Sequence, residues 1–157
     1  RRADELWYLT PPGFSSKPFL KSSGALRNGQ FSPDGKWVAY NSNERGKWEV
    51  YVTSFPEPRG KWQISGNGGE QPRWRGDGKE LFYTAPDSTL IAVSVQALQN
   101  SLTFGELKPL FKIPGRGGTF DVAPDGQRIL ALPPAGDDAA PSMTVVVNWP
   151  MLVRNRR

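Results

Sequence analysis

A chain of 157 residues with 37% hydrophobic content, 17 glycines and 15 prolines can build a core, but from short strands and turns rather than long helices. It has no histidine and no cysteine, which excludes within it a Ser-His-Asp triad, a Cys-His dyad, a histidine proton shuttle, a disulfide and a zinc–thiolate site. The net charge of +5 is spread along the chain, and the dense basic groups Arg1-Arg2 and Arg154-Asn155-Arg156-Arg157 read as solvated tails rather than contacts to nucleic acid or lipid.

In chain order, Leu6-Trp7-Tyr8-Leu9 and Lys17-Pro18-Phe19-Leu20 open the pattern as two short strands. A phrase follows: Phe31-Ser32-Pro33-Asp34-Gly35-Lys36, leading into Trp37-Val38-Ala39-Tyr40. After a polar loop, Asn41 to Lys47, comes a third strand, Glu49-Val50-Tyr51-Val52, and a fourth, Lys61-Trp62-Gln63-Ile64. The phrase returns at Trp74-Arg75-Gly76-Asp77-Gly78-Lys79, with strands Leu81-Phe82-Tyr83, Leu90 to Val95 and Pro109 to Ile113. The stretch Gln99 to Glu106 reads as an extended loop between the last two. The phrase returns once more at Val122-Ala123-Pro124-Asp125-Gly126-Gln127, with strands Ile129 to Leu132 and Met143 to Val147 and loop Pro133 to Ser142. These segments are β-branched or aromatic and bounded by Gly and Pro, as strands are. Each Asp-Gly favours a tight turn, because Gly accepts positive φ and Asp can bond its own backbone.

From Asp34 to Asp77 is 43 residues, and from Asp77 to Asp125 is 48. Repeats of about 40–45 residues made of short strands are the signature of β-propeller blades. The expected fold is therefore all-β: a β-propeller fragment, a partial arc of about three to four blades of four-stranded antiparallel sheet. Residues 1–22 are expected to be the outer strands of a preceding blade. Complete blades follow at 23–65 and 66–114, then a final incomplete blade at 115–154 and a basic tail at 155–157. Such a set does not close a ring, so the chain is expected to belong to a larger propeller and to associate through open edges when isolated.

The phrase Phe31-Ser32-Pro33-Asp34-Gly35 followed by an apolar strand resembles the PD40 repeat, the WD40-like repeat of TolB-type bacterial propellers. Further segments are similar to the C-terminal propeller of some bacterial serine/threonine protein kinases. They are Tyr51-Val52-x-x-Phe55-Pro56, Lys61-Trp62-Gln63-Ile64-Ser65, Gly69-x-Gln71-Pro72-Arg73-Trp74, Gly78-Lys79-Glu80-Leu81-Phe82-Tyr83 and Val145-Val146-Val147-Asn148-Trp149. That resemblance implies a parent with a kinase domain, a membrane helix and an extracytoplasmic (periplasmic) propeller. The chain itself has no kinase motif: no Gly-rich phosphate loop, no His-Arg-Asp and no Asp-Phe-Gly. Its longest apolar run, Val145-Val146-Val147, is too short to cross a bilayer, and no targeting signal stands in the segment.

The repeated aspartates Asp34, Asp77 and Asp125, with Gly35, Gly78 and Gly126, read as turn formers set far apart in separate blades, and no metal site is expected. Asp137-Asp138 reads as a solvated pair. Arg75-Gly76-Asp77 matches the integrin-binding tripeptide, but the blade turn explains it. Trp37, Trp62 and Trp74 are expected to pack between blades. Trp48 is the candidate exposed recognition aromatic, in a mixed cluster with Asn43, Glu44, Arg45 and Lys47. Arg73 and Arg116, preceding first strands that would line a central channel, are expected with Gln71 to make an electropositive mouth for an anionic small ligand or acidic peptide. The chain thus reads as a non-enzymatic binding or sensory module with a protein or peptide partner, no cofactor, no nucleic acid and no membrane contact of its own. The alternatives are a propeller accessory to a prolyl-oligopeptidase-like hydrolase and a purely structural assembly module.

Overall fold

The computed structural model describes residues 4–99, 101–113, 119–132 and 144–147, the last as backbone alone. Every regular element among them is a strand. In chain order these are β1 (Asp4–Thr10), β2 (Ser15–Ser22), β3 (Leu26–Phe31), β4 (Trp37–Ser42), β5 (Glu49–Ser54), β6 (Trp62–Gln63), β7 (Glu70–Trp74), β8 (Glu80–Thr84), β9 (Thr89–Leu98), β10 (Ser101–Lys112), β11 (Thr119–Val122), β12 (Arg128–Leu132) and β13 (Thr144–Val147). They form antiparallel sheets in the orders β1-β2, β3-β4-β5-β6, β10-β9-β8-β7 and β11-β12-β13. Consecutive strands pair with neighbours, the meander of a propeller blade. The chain divides into two compact units, residues 1–72 and 73–157.

In the first unit the apolar run Trp37-Val38-Ala39-Tyr40 becomes β4. All six of its side chains are buried, so both faces of the strand are covered. Its register with β5 aligns Tyr40 with Tyr51, and β5 in turn aligns Tyr51 with Gln63 of β6. Val38, Tyr40 and Tyr51 form a core with Leu6, Phe19, Leu20, Leu26 and Phe55 packed against it. Phe55 meets Tyr8, Phe19 and Phe31 at ring-centroid distances of 4.9, 5.3 and 4.8 Å, the first and last edge to face. Full burial of such a side chain is worth about 1.5–3 kcal/mol. The β1-β2 sheet covers this core with one face; its other face leaves Trp7 and Leu9 exposed.

In the second unit Phe82, Leu90, Ala92 and Ile113 meet Phe120, Val122, Ile129 and Ala131 in one cluster. Strands β11 and β12 alternate exposed and buried residues, so this sheet too buries one face, leaving Leu130 and Leu132 outside.

Two local expectations are corrected. Residues 101–106, expected in a loop, belong to β10, which pairs with an extended β9. Ser101-Leu102-Thr103-Phe104 has the period-2 alternation of a strand, Leu102 is buried, and a register shift between Phe104 and Leu107 accommodates Gly105. A Cβ on Gly105 would lie 2.1 Å from Ser94 Oγ. Likewise Asn41 and Ser42, assigned to the polar loop, are fully buried ends of β4. The Asn41 amide donates to the carbonyls of Gly69 (2.8 Å) and Glu49 (3.3 Å) and accepts from the Gln71 amide (3.0 Å) and Asn28 Nδ2 (3.1 Å). A polar side chain survives burial when its hydrogen bonds are made.

Candidate functional site

The three Asp-Gly phrases fold into one geometry. Gly35, Gly78 and Gly126 have φ of 69°, 71° and 69°. Their amides donate to the carbonyls of Ser32, Arg75 and Ala123 at 2.9, 2.9 and 2.8 Å. Each aspartate accepts from the amide two residues on: Lys36 (3.1 Å), Lys79 (3.0 Å) and Gln127 (2.9 Å). At Asp34 and Asp77 burial opposes ionisation. The bonds from Ser32 and Lys36 at the one, and from Arg75 and Lys79 at the other, outweigh it and hold both carboxyls below the usual range. At Asp125 the Gln127 amide does the same. These carboxylates are committed to their turns.

They are not, however, all far apart. The turns of Asp77 and Asp125 touch: the Gly76 amide donates to the Pro124 carbonyl at 3.1 Å. A Cβ on Gly76 would lie 2.7 Å from that oxygen, and one on Gly126 would lie 2.4 Å from Arg75 Cδ. The first repeat has proline, Pro33, where the second has Gly76; the close approach of Pro124 requires a residue with an N–H and no side chain. Arg75 is bound to Asp77 through Nε (2.8 Å) and to Glu80 through Nη1 (2.8 Å). The Arg-Gly-Asp tripeptide is thus folded on itself.

Arg73 lies inside β7 rather than before it, and Gln71, also in β7, adopts φ of 55°. Asn28, 43 residues earlier in β3, does the same with φ of 52°. A left-handed residue thus recurs at one position of the first strand. The Arg73 guanidinium stands 6.0 Å from the Phe120 ring centroid and its Nε 3.8 Å from Asp121 Oδ1. Asp121 sits 48 residues after Arg73, at the same place in the next repeat, and reasoning that sought only arginines passed over it; the repeat spacing would have found it. Beside Arg73 the repeat also sets a carboxylate, so this part of the expected electropositive mouth carries mixed charge. Arg116 and Asp137-Asp138 lie outside the described residues.

The mixed cluster after β4 is docked rather than free. Asn43 Oδ1 accepts from the Ala25 amide at 2.7 Å, and a Cβ on Gly24 would lie 2.4 Å from Glu44 N. Trp48 is half-buried with the Arg27 guanidinium 4.5 Å over its ring, so Arg27 already occupies the aromatic face expected to be exposed. Arg45 is exposed and donates to Gln63 Oε1 at 3.3 Å. Lys47 pairs with the buried Glu49 at 3.1 Å. Glu49 also accepts from the Ser65 hydroxyl and, at 3.0 Å, from the Gly68 amide, fastening the segment that leads into β7. Trp37 and Trp62 contact each other within one sheet, across β5, at 5.6 Å and 75°. Lys61 and Tyr51, which sequence reasoning placed only in strands, stand beside Glu44: Lys61 Nζ pairs with its carboxylate and lies 4.4 Å over the Tyr51 ring.

No protein-family model and no curated protein matches the chain. Solved structures do. TolB from Acinetobacter baumannii is similar over 85% of this chain and 34% of its own, with 19% identity and a TM-score of 0.60. An oligogalacturonate lyase from Vibrio parahaemolyticus is similar over 83% and 36%, with 14% identity and a TM-score of 0.55. A luciferin-regenerating enzyme is similar over 91% and 56%, with 17% identity and a TM-score of 0.52. The chain spans about a third to a half of these proteins' lengths. At such identities the likeness is one of fold. With its four-stranded antiparallel sheets it gives this chain the fold of a partial β-propeller, similar to that of TolB.

Proposed function

We propose that the chain is a non-enzymatic recognition module of a larger propeller, and that an acidic peptide or anionic small ligand engages it on the first strands at Arg73. One observation carries this reading: Arg73 and Asp121, equivalent in successive repeats, meet at 3.8 Å with unequal cover, Arg73 one-quarter exposed and Asp121 72% exposed. Asp121 Oδ1 also accepts from the Val122 amide at 2.9 Å, and an ion pair this long with an exposed carboxylate contributes little, so a ligand carboxylate competes with Asp121 for the guanidinium. The residues quoted above as similar to kinase-linked propellers support an extracytoplasmic place in a bacterial transmembrane kinase as the parent architecture. The intact reading frame tests that part directly, with kinase motifs upstream expected and a hydrolase downstream contradicting it.

The ligand reading is tested by titrating the protein with a glutamate-rich peptide. Arg73→Glu should weaken binding at least tenfold, and Asp121→Asn should tighten it. Unchanged affinity in both variants overturns the assignment of this site.

A further inference from the structure

A second constellation in the first unit has the composition of a cation site. Tyr40, Tyr51 and Gln63 form a row across β4, β5 and β6, because the register sets them opposite one another. Lys61, two residues before Gln63, falls on the same side, and its ammonium reaches both the Tyr51 ring face and the Glu44 carboxylate. Glu44 is held from behind. Ser22 Oγ donates to its Oε2 at 3.3 Å, its own amide donates to Ser42 Oγ at 3.3 Å, and Gly24 leaves room for its backbone. A carboxylate fixed beside an aromatic face is the arrangement that binds an alkylammonium.

Two features go beyond a simple surface ion pair. First, the hydroxyls of Tyr40 and Tyr51 are buried without a hydrogen-bond partner, although their rings stack at 5.8 Å. Burial, and next the charge of Glu44, pushes the pKa of each up, so both phenols stand in the field of that carboxylate. Buried hydroxyls left unpaired are costly, and the Lys61 ammonium does not engage them. Second, Lys61 sits at the margin of the sheet. It lies outside regular structure, just before a two-residue edge strand, and its side chain is 39% exposed.

We propose that Glu44, Tyr51 and Tyr40 form a binding site for a primary alkylammonium, from a free amine or the lysine side chain of a peptide, and that Lys61 is the internal cation that closes it. An incoming ammonium satisfies Glu44 and takes the Tyr51 ring face beside the two phenols, while Lys61 swings into water. This site uses none of the residues placed around Arg73, so the two proposals stand or fall separately.

The test follows backbone amide shifts of Glu44 and Tyr51 by NMR while n-butylammonium or Nα-acetyl-lysine amide is added to Lys61→Ala. Saturable shifts, at least tenfold tighter than in the unaltered protein and absent from Lys61→Ala/Glu44→Gln, are expected. Binding of both probes identifies a lysine side chain as an acceptable source, and binding of n-butylammonium alone restricts the site to free amines. Shifts that do not saturate, or that persist without Glu44, overturn the proposal. Lys61→Gln serves if Lys61→Ala loses its native spectrum; loss of the fold in both would make Lys61 a structural tie and overturn it equally.

Discussion

Among single residues, the glycines are most informative where the backbone of another repeat comes close. Gly76 departs from the proline of the first repeat, and the reason is visible: Pro124 stands against it and takes its N–H. Gly76→Ala pushes a methyl group into the Pro124 carbonyl. It should cost about 1–3 kcal/mol, the usual penalty of overpacking, measured as a lowered denaturant midpoint with unchanged slope. Gly35, at the same kind of turn but with open space around its Cβ position, lacks this second constraint. Asn41 illustrates the opposite case, a residue whose polarity suggested a loop and whose amide instead ties β4 to the start of β7 through two hydrogen bonds and to β3 and β5 through one each.

Among the elements, the β9–β10 hairpin departs furthest from expectation. Leu102→Ala should cost about 2–4 kcal/mol, because it removes a buried side chain from a packed sheet. A loop residue would cost almost nothing, so thermal unfolding of this one variant separates the two readings. The strands β4, β8 and β12 were legible because each follows an Asp-Gly turn and contains an apolar run. The outer part of the hairpin through 99–106 was not, because it is mostly exposed and carries Gly105 and polar residues at the positions that make a strand look like a loop. The candidate sites were legible in part. Arg73 was named from its charge and its place near the first strand, but Asp121 beside it depends on which repeat position faces which. The closeness of Lys61, Tyr51 and Glu44 depends on the register of three strands and a docked loop, and no local pattern in 44–61 encodes that.

For the molecule as a whole, the exposed apolar residues include Trp7 and Leu9 on β1 and Leu130 and Leu132 on β12. The edge of β1 away from β2 has no partner strand among the described residues. Open edges and apolar faces promote association. The isolated chain should therefore gain mass as its concentration rises, and Trp7→Lys with Leu9→Lys should reduce that gain in sedimentation or light scattering. A sharply monodisperse monomer at all concentrations would contradict this. The Trp37–Trp62 pair has a different use. Two indoles in near-perpendicular contact couple their electronic transitions, which gives circular dichroism an exciton couplet that neither ring produces alone. Both rings belong to the first unit, and Gly60 packs against the Trp62 indole. The couplet therefore follows melting of residues 1–72, while the general β-sheet signal reports both units, and comparing the two transitions tells whether the units unfold together or in turn.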